Sequence, residues 1–317
     1  MHGWPLEVGV RLADVWGMNQ QMSPAKAKTA DILPAATQAG PVTLRVAEAE
    51  RSLAWYRDMI GLELIERTPE RLVLGAGGKP FLFLDVKPGT TPRVEETTGL
   101  YHLAILVPDR ASLAAVLARI AARGVRLGAS DHLVSEALYI WDPDGNGNEV
   151  YRDRPREEWK WENGTVRMAT DPLNLQGLLS DLEPGAEKKS VPAATRMGHV
   201  HLQVGDIDKA LHNYGDLFGL VRTAGRQGAL FMSAGGYHHH LGCNIWHSHN
   251  APRAPATAAG LVEFTIEVPN AEALEAAKQR FAAGGVATEP VPGGFLVRDP
   301  WNIAMRVLVA GAGGWQA

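Results

Sequence analysis

Three residues with metal-binding side chains occupy corresponding places in a repeated sequence pattern. His102 and His199 each open a stretch of alternating polar and apolar residues, and Glu149 follows a turn at residues 142–146. Two neutral imidazoles and one carboxylate, with coordination positions left open, form the ligand set that suits non-haem Fe(II) and oxygen chemistry. The same ligands also hold Mn(II) or Zn(II), so the residues predict a metal site and leave the metal open.

The alternation decides which way these side chains point. Successive side chains of a strand face opposite sides of its sheet. In residues 199–204 the apolar side chains share one face, which must pack on a helix, so His199 falls on the other face. The same reasoning puts His102 on a free face, and Glu149 as well if Val150 points into the core. We therefore expect all three to line a concave surface, here called a cup.

A second histidine cluster, residues 237–246, has the pattern of a strand. It puts His238 and His240 on the face expected to line the cup and His239 on the opposite face. A histidine beside a metal could take a proton from a substrate hydroxyl, because its ordinary pKa is close to neutral pH. The alternative is a histidine-rich surface strand with no catalytic part.

Three further candidates lie close to Glu149 in the sequence. His132 precedes a predicted strand that ends at Tyr139, and Tyr151 follows Glu149 by two residues. Either phenol could donate a proton or hold an oxyanion, although a single tyrosine on a strand is more often a packing residue. His132 is a further candidate active-site histidine.

A duplication supplies the elements that must position these residues. Residues 51–62 match residues 209–220 at five positions, which are Leu53/Leu211, Tyr56/Tyr214, Asp58/Asp216, Gly61/Gly219 and Leu62/Leu220. Two dipeptides repeat at nearly the same spacing, Val107-Pro108 with Val268-Pro269 and Asp142-Pro143 with Asp299-Pro300. Three anchors at almost one interval indicate that a whole domain is duplicated.

Each copy contains two smaller units, in which a strand is followed by a helix and then by shorter strands. The pattern predicts helices over residues 111–123 and 271–283, and an α+β fold of four β-α-β-β-β units. We expect an N-terminal extension over 1–40, a first domain over 41–155, a connector over 156–195 with one short helix, and a second domain over 196–311.

Composition excludes several classes of function. The net charge of −4 over 317 residues, with acidic and basic residues interleaved, predicts neither a nucleic-acid partner nor a charged membrane-binding patch. No apolar run reaches the roughly 18 residues of a membrane span, and we see no secretory signal. The single cysteine, Cys243, fits a cytoplasmic protein. We expect a homo-oligomer whose partners are small molecules.

Several segments resemble the vicinal oxygen chelate superfamily, and in particular its catechol-2,3-dioxygenase (extradiol) branch. The broader resemblance rests on residues 142–149, 199–204 and 208–220, and the narrower one on 99–109, 135–139 and 235–240. Together the resemblance covers about residues 41–155 and 196–309. It implies tandem glyoxalase/bleomycin-resistance/dioxygenase-like domains with cupped sheets and an Fe(II) cofactor.

The resemblance also implies substrates and roles. It implies that a small aromatic diol and O2 react, and that the ring opens beside the two hydroxyls. It places the acid–base histidine at His238, with His240 next, and gives His132 the part of the histidine that faces oxygen. These roles are expectations carried over from the family's pattern.

The family's ligand set is divided unusually here. The pattern implies one histidine opening a unit, another opening its partner, and a glutamate ending that partner. The first unit has Pro41 and Thr43 where the opening histidine should stand, while the fourth has Glu263 for the histidine and Met305 for the glutamate. A complete set therefore requires units two and three to pair. We predict one metal site across the two halves and one non-functional cup from units one and four.

Other functions are compatible with the same scaffold. A glyoxalase-type isomerase, a thiol transferase and a non-enzymatic protein that binds a small aromatic molecule all remain open, because a fold alone does not determine function. A purely structural or interaction protein is a further alternative, which the expected polar cup disfavours.

Overall fold

Alternating apolar side chains build two mixed eight-stranded sheets in the computed structural model, which describes residues 32–311. The sheet formed by units one and four, here the 1/4 sheet, has the following strands in spatial order: β16 (Thr288–Val291), β17 (Gly294–Arg298), β18 (Ala304–Val309), β15 (Gly260–Val268), β1 (Gln38–Val46), β4 (Lys79–Val86), β3 (Arg71–Ala76) and β2 (Glu63–Arg67).

The other sheet, here the 2/3 sheet, is formed by units two and three and has the same plan. Its order is β12 (Val221–Arg226), β13 (Ala229–Ser233), β14 (Leu241–Asn244), β11 (Arg196–Gln203), β5 (Gly99–Leu106), β8 (Gly147–Asp153), β7 (Ser135–Trp141) and β6 (Gly128–Asp131). A small hairpin joins β9 (Trp161–Glu162) to β10 (Thr165–Val166). The central pairs, β1 with β15 and β11 with β5, are antiparallel. The predicted pairing of units across the two halves is confirmed.

Five helices accompany the sheets within the described residues. They are α1 (Ala49–Trp55, continued by a π-helix over Tyr56–Ile60), α2 (Arg110–Ala122), α3 (Leu175–Leu179), α4 (Ile207–Ala210, continued by a π-helix over Leu211–Leu217) and α5 (Ala271–Ala283). Single 3₁₀ turns cover Arg156–Glu158 and Ala186–Lys188. Asp109, Asn174, Asp206 and Asn270 each accept a backbone N–H at a helix start, as N-cap residues do. The predicted helices over 111–123 and 271–283 are confirmed to within one residue.

The apolar faces of both sheets meet the helices in one continuous core. Val42, Leu103, Val200 and Phe264, from the four unit-opening strands, are all fully buried there. Burying such a side chain stabilises the fold by about 1.5–3 kcal/mol. Because these faces are committed to the core, the polar faces are left to form the two cups.

The repeated tyrosine and the repeated aspartate turn out to be hydrogen-bond partners. Tyr56 donates to Asp142 at 3.1 Å, and Tyr214 donates to Asp299 at 2.9 Å. In each half this bond ties the helix of the first unit to the turn that precedes the last strand of the second unit. The bond explains why both anchors recur, and in the first half it fixes the turn that leads to Glu149.

A repeated arginine closes the end of each π-helix. Arg119 donates to the carbonyl of Ile60 at 2.8 Å, and Arg280 donates to that of Phe218 at 2.6 Å. Gly61 follows the first π-helix with φ +93°, and a Cβ there would lie 2.8 Å from the Arg119 guanidinium. The glycine is therefore required both by the backbone conformation and by the close approach of the arginine.

Two details differ from the sequence-based expectations. The predicted strand over residues 237–246 is wrong in its first half, because Gly235 and Gly236 turn the chain with positive φ values and β14 begins only at Leu241. The predicted extension over 1–40 ends earlier, since β1 begins at Gln38 and residues 1–31 lie outside the described residues. The other domain boundaries stay predictions, although α3 does lie inside the predicted connector.

No helix among residues 32–311 combines the length and the apolar character that crossing a membrane requires.

Candidate metal centre

Three neighbouring strands of the 2/3 sheet bring the predicted ligands together. In the strand register, Ala104 on β5 pairs with His199 on β11 and with Glu149 on β8, so the three residues form one row. His102 lies two residues from Ala104 on the same face of β5. The methyl group of Ala104 leaves room between the larger side chains, which are all buried.

Both histidines approach the same carboxylate oxygen. The Nε2 atoms of His102 and His199 lie 2.9 Å and 3.1 Å from Oε2 of Glu149. One ligand atom from each of the three residues falls within 4.8 Å of the others. Ligand atoms about 2.1 Å from one cation and at right angles lie about 3 Å apart, so the observed distances fit a shared metal ion.

The protonation states also suit a metal. Burial alone would raise the pKa of Glu149, but the neighbouring His199 and His102 outweigh it and hold the pKa well below its ordinary value. Burial lowers the pKa of His199 to about 4, against the opposing pull of Glu149. At neutral pH the site therefore presents an ionised carboxylate and a neutral imidazole, the forms that bind metals.

Two buried nitrogens of this group have no hydrogen bond to the described residues, Nδ1 of His199 and Nε2 of His102, and the second faces Glu149. Nε2 of His102 is buried and, despite its short distance to Glu149, lies outside hydrogen-bonding geometry, with no partner among the described residues. An unsatisfied buried nitrogen costs about 1–3 kcal/mol. A metal ion would use this lone pair, so the residues fit a metal cofactor.

His239, which the sequence placed on the far face, contacts the ligand group instead. Its ring centroid lies 4.0 Å from that of His199. The expectation that His239 points away is wrong because residues 237–240 are not in a strand, so they do not alternate. His238 lies one step farther out, with its ring centroid 6.0 Å from that of His199.

His132 and Tyr139 form a hydrogen-bonded pair at the edge of the cup. Nδ1 of His132 lies 2.6 Å from the carbonyl of Ala169, and Nε2 lies 2.6 Å from Oη of Tyr139. The carbonyl can only accept, so Nδ1 donates to it. Burial lowers the pKa of His132, so the neutral ring has a lone pair on Nε2 that accepts from Tyr139. The ring of Tyr139 lies 5.5 Å from that of His102.

Tyr151 lies behind His199, with ring centroids 4.9 Å apart. Its hydroxyl lies 2.7 Å from that of Tyr237, which donates to Asp153 at 2.9 Å. Since the Tyr237 proton goes to Asp153, Tyr151 is the donor to Tyr237. A Cβ at Gly198 would lie 1.9 Å from the Tyr151 hydroxyl, so the glycine beside His199 leaves space for this phenol.

His240 is held away from this group. Its Nδ1 accepts the backbone N–H of Ala234 at 3.3 Å, and its ring stacks on Tyr237 with centroids 4.9 Å apart. Burial lowers the pKa of His240 to about 3. These contacts shape the turn before β14.

His201 belongs to the cup, although the sequence did not single it out as a site residue. Its ring lies 4.9 Å from that of His102 and 5.8 Å from that of Trp246. Asn244 donates to Nε2 of His201 at 3.0 Å. Its position two residues after His199, on the same strand face, was the signal that could have identified it.

The 1/4 sheet holds an ion pair at the equivalent place. Arg306 makes two bonds to Glu263, at 2.8 Å and 2.9 Å. Arg306 pairs in register with Thr265 as Glu149 pairs with Ala104. The sequence-based assignment of Met305 to the glutamate position is therefore wrong, because Met305 faces the core and is 1% exposed. The prediction of a cup without the ligand set is otherwise supported by this geometry.

The sequence of this chain is similar to those of known proteins. The sequence matches the model of the Glyoxalase/Bleomycin resistance protein/Dioxygenase superfamily over residues 38–150 and 196–303. A catechol-2,3-dioxygenase of Bacillus subtilis (strain 168) is 42% identical over 270 residues, which cover 83% of this chain and 94% of that protein.

Solved structures give the same fold. A Bacillus subtilis protein assigned provisionally as a dioxygenase superposes with a TM-score of 0.62 at 16% identity, covering 86% of this chain and 85% of its own. Glyoxalase I from Zea mays superposes with a TM-score of 0.53 at 14% identity, covering 87% of this chain and 94% of its own. At these identities the likeness concerns the fold alone.

Proposed function

Because this chain belongs to the glyoxalase/bleomycin resistance protein/dioxygenase superfamily, we propose that its metal centre makes it an extradiol dioxygenase, which opens a catechol-type ring with O2. The observation that carries the proposal is the convergence of His102, Glu149 and His199 from opposite halves of the chain. The 42% identical relative, a catechol-2,3-dioxygenase, supports this substrate class.

Fe(II) is the metal we propose, with Mn(II) as the alternative. Two imidazoles and one carboxylate on one face of an ion form the donor set of non-haem Fe(II) oxygenases. When bound, such an ion supplies open coordination positions at which a diol and oxygen can meet. The chain's own part is to hold the three ligands together, with Glu149 ionised and His199 neutral, and to exclude water around them.

His239 is the residue we propose as the acid–base group, in place of His238. The ring centroid of His239 lies 4.0 Å from that of His199. His238 is hydrogen-bonded to Asp153 and lies farther from His199, with 6.0 Å between ring centroids. A diol must lose a proton before it reacts, and a histidine within reach can take that proton and return it later. His240 then has a structural part in shaping the turn.

His132 and Tyr139 provide polar groups on the opposite flank of the metal ligands. The Tyr139 hydroxyl donates to His132, and both residues are partly buried. Fixed donors near developing negative charge stabilise a transition state because they need no reorganisation. We therefore propose that this pair stabilises charge on oxygen, while Tyr151 packs behind His199 and keeps it oriented.

The test is an aerobic assay of protein loaded with Fe(II), with catechol as substrate. The proposal expects oxygen uptake together with a yellow ring-opened product, and neither with the His199→Ala variant. Glutathione-dependent turnover without oxygen uptake would instead favour a glyoxalase-type isomerase. Tight binding of catechol with no turnover would favour a non-enzymatic binding protein. The predicted cytoplasmic location and homo-oligomeric state need separate measurements.

A further inference from the structure

A chain of hydrogen bonds runs from the end of β8 to the ring that contacts His199. Asp153 lies four residues after Glu149 and is partly exposed. Its Oδ1 lies 2.9 Å from Nε2 of His238. Nδ1 of His238 in turn lies 2.7 Å from Nδ1 of His239.

For two neutral imidazole rings, these contacts allow one arrangement of the protons. A carboxylate offers only acceptors, so Nε2 of His238 must donate to Asp153. The other nitrogen of a neutral His238 is then an acceptor, so Nδ1 of His239 must donate to it. One proton on each neutral ring leaves Nε2 of His239 with a lone pair. The carboxylate therefore decides, across two rings, which nitrogen of His239 can accept a proton.

The surrounding residues hold this chain in place. Tyr237 donates to the other carboxylate oxygen of Asp153 at 2.9 Å, which restrains the carboxylate from both sides. Trp159 packs beside His238, with ring centroids 5.2 Å apart, and His238 is fully buried. A buried ring with two directed hydrogen bonds has little freedom to flip.

The 1/4 sheet offers an internal comparison. The residue 157 positions after Asp153, at the same offset that relates Glu149 to Arg306, is Ala310. The sheet that has no histidine cluster thus also has no carboxylate at this place. The carboxylate occurs together with the histidines that it would orient.

We propose that Asp153 is a positioning residue, which acts through His238 to hold the proton of His239 on Nδ1 and so leaves Nε2 as the base. The use of that base rests on the proposed function, whereas the proton positions do not.

The proton positions can be measured without metal or substrate. Multiple-bond ¹H–¹⁵N spectra of ¹⁵N-histidine-labelled protein distinguish the two neutral tautomers, and a His239→Gln variant assigns the signal. We expect the Nδ1–H form of His239 in the wild type, a mixture of tautomers in Asp153→Ala, and the wild-type form in Asp153→Asn, whose amide oxygen still accepts from His238. Asp153→Leu repeats the test if the alanine variant does not fold.

Activity provides the second readout. Hydrogen-bond partners of metal-binding histidines typically contribute about 10–100-fold, and by analogy we expect kcat for catechol to fall by about that factor in Asp153→Ala while KM stays within about threefold. Asp153→Asn should recover most of the loss. Asp85→Ala is the matched control, because it removes a strand carboxylate that pairs with Arg71 in the 1/4 sheet, and it should leave kcat unchanged.

The outcomes separate the two proposals. An unchanged His239 tautomer in Asp153→Ala would overturn the positioning role whatever the enzyme does. A changed tautomer with unchanged kcat would overturn the link between His239 and catalysis. If the wild type opens no ring, the proposed function fails, and the spectra still decide the part that Asp153 plays.

Discussion

The two sheets of this protein share one architecture and differ at the centre of the cup. In the 2/3 sheet, His102 and Glu149 face each other across β5 and β8 with 2.9 Å between them. In the 1/4 sheet the equivalent places hold Glu263 and Arg306, joined by two hydrogen bonds. In the 1/4 sheet a glutamate therefore stands at the position of His102, and an arginine stands at the position of Glu149.

This difference shows that the fold fixes the positions at the centre of each cup but not the residues that occupy them. A carboxylate in a polar cup needs a positive partner, and the cup can receive one from a metal ion or from a guanidinium. The arginine balances the charge of Glu263 within the chain, and its guanidinium has no lone pair to offer a metal. Duplication thus supplied two cups, and one ion pair closes the second to metal chemistry.

The largest expected effect comes from removing a ligand in the 2/3 sheet. His199→Ala should reduce bound iron from about one equivalent per chain to background and abolish ring opening, because two ligands seldom hold a divalent ion. Metal analysis of the purified protein and oxygen uptake measure both effects. Glu263→Gln, at the place equivalent to His102, is the control and should change neither. Retained iron and activity in His199→Ala would reject the ligand assignment.

The reverse experiment breaks the ion pair of the 1/4 sheet. Arg306→Met leaves Glu263 partly buried without its bidentate partner, so the free energy of unfolding should fall by about 1–3 kcal/mol. Chemical denaturation measures that loss. Catechol turnover should stay at the wild-type level, since the other cup is untouched. A loss of turnover without a loss of stability would mean that the 1/4 cup takes part in the reaction.

Acidification should destabilise the metal-free protein through its buried histidines. His199 and His240 have folded-state pKa values lowered to about 4 and about 3, below the unfolded value of about 6.5. The unfolded chain therefore binds more protons between these values, and stability present above pH 6.5 is lost as the pH falls towards 4. Each histidine contributes a slope of up to about 1.4 kcal/mol per pH unit.

Denaturation curves at several pH values test this prediction. His240→Asn should make the loss of stability on acidification shallower than in the wild type. Asp299 acts in the opposite sense, because burial raises its pKa to about 6, and the stability that its protonation contributes is lost as the pH rises through that value. An identical slope in the wild type and in His240→Asn would contradict the assigned pKa of His240.

The smallest expected effects come from removing the tyrosine–aspartate hydrogen bond in each half of the chain. Tyr56→Phe and Tyr214→Phe each remove one buried hydrogen bond to an aspartate, so each should lower the free energy of unfolding by about 1 kcal/mol. Only Tyr56→Phe loosens the turn before Glu149, so only this variant should also weaken metal binding. Titration with Fe(II) under anaerobic conditions measures the difference. Equal metal affinity in both variants would mean that the Tyr56–Asp142 bond does not position Glu149.

Much of this arrangement could be predicted from the sequence. Strand alternation assigned His102, Glu149 and His199 to one cup, and the missing ligands in units one and four predicted that units pair across the halves. The first inference depends on a local rule, because side-chain direction in a strand follows directly from position. The second depends on the ligand pattern that the resemblance to the family implies.

The failures have different causes, and the first arises where the chain leaves regular structure. Gly235 and Gly236 turn the chain ahead of β14, so alternation no longer holds and His239, not His238, contacts His199. The Met305 assignment was off by one residue, since the spacing of 157 between Asp142 and Asp299 already relates Glu149 to Arg306, and a shift of one residue moves a side chain to the other face. The link from Asp153 to His238 connects residues 85 positions apart, which no local pattern reveals.

The most direct test of the account is a crystal structure of the Fe(II)-loaded protein with anomalous scattering recorded at the iron edge. The account predicts one anomalous peak per chain, between His102, Glu149 and His199, and no peak beside Glu263 and Arg306. A peak in the 1/4 cup, or iron bound by other residues while the three ligands stay apart, would contradict it.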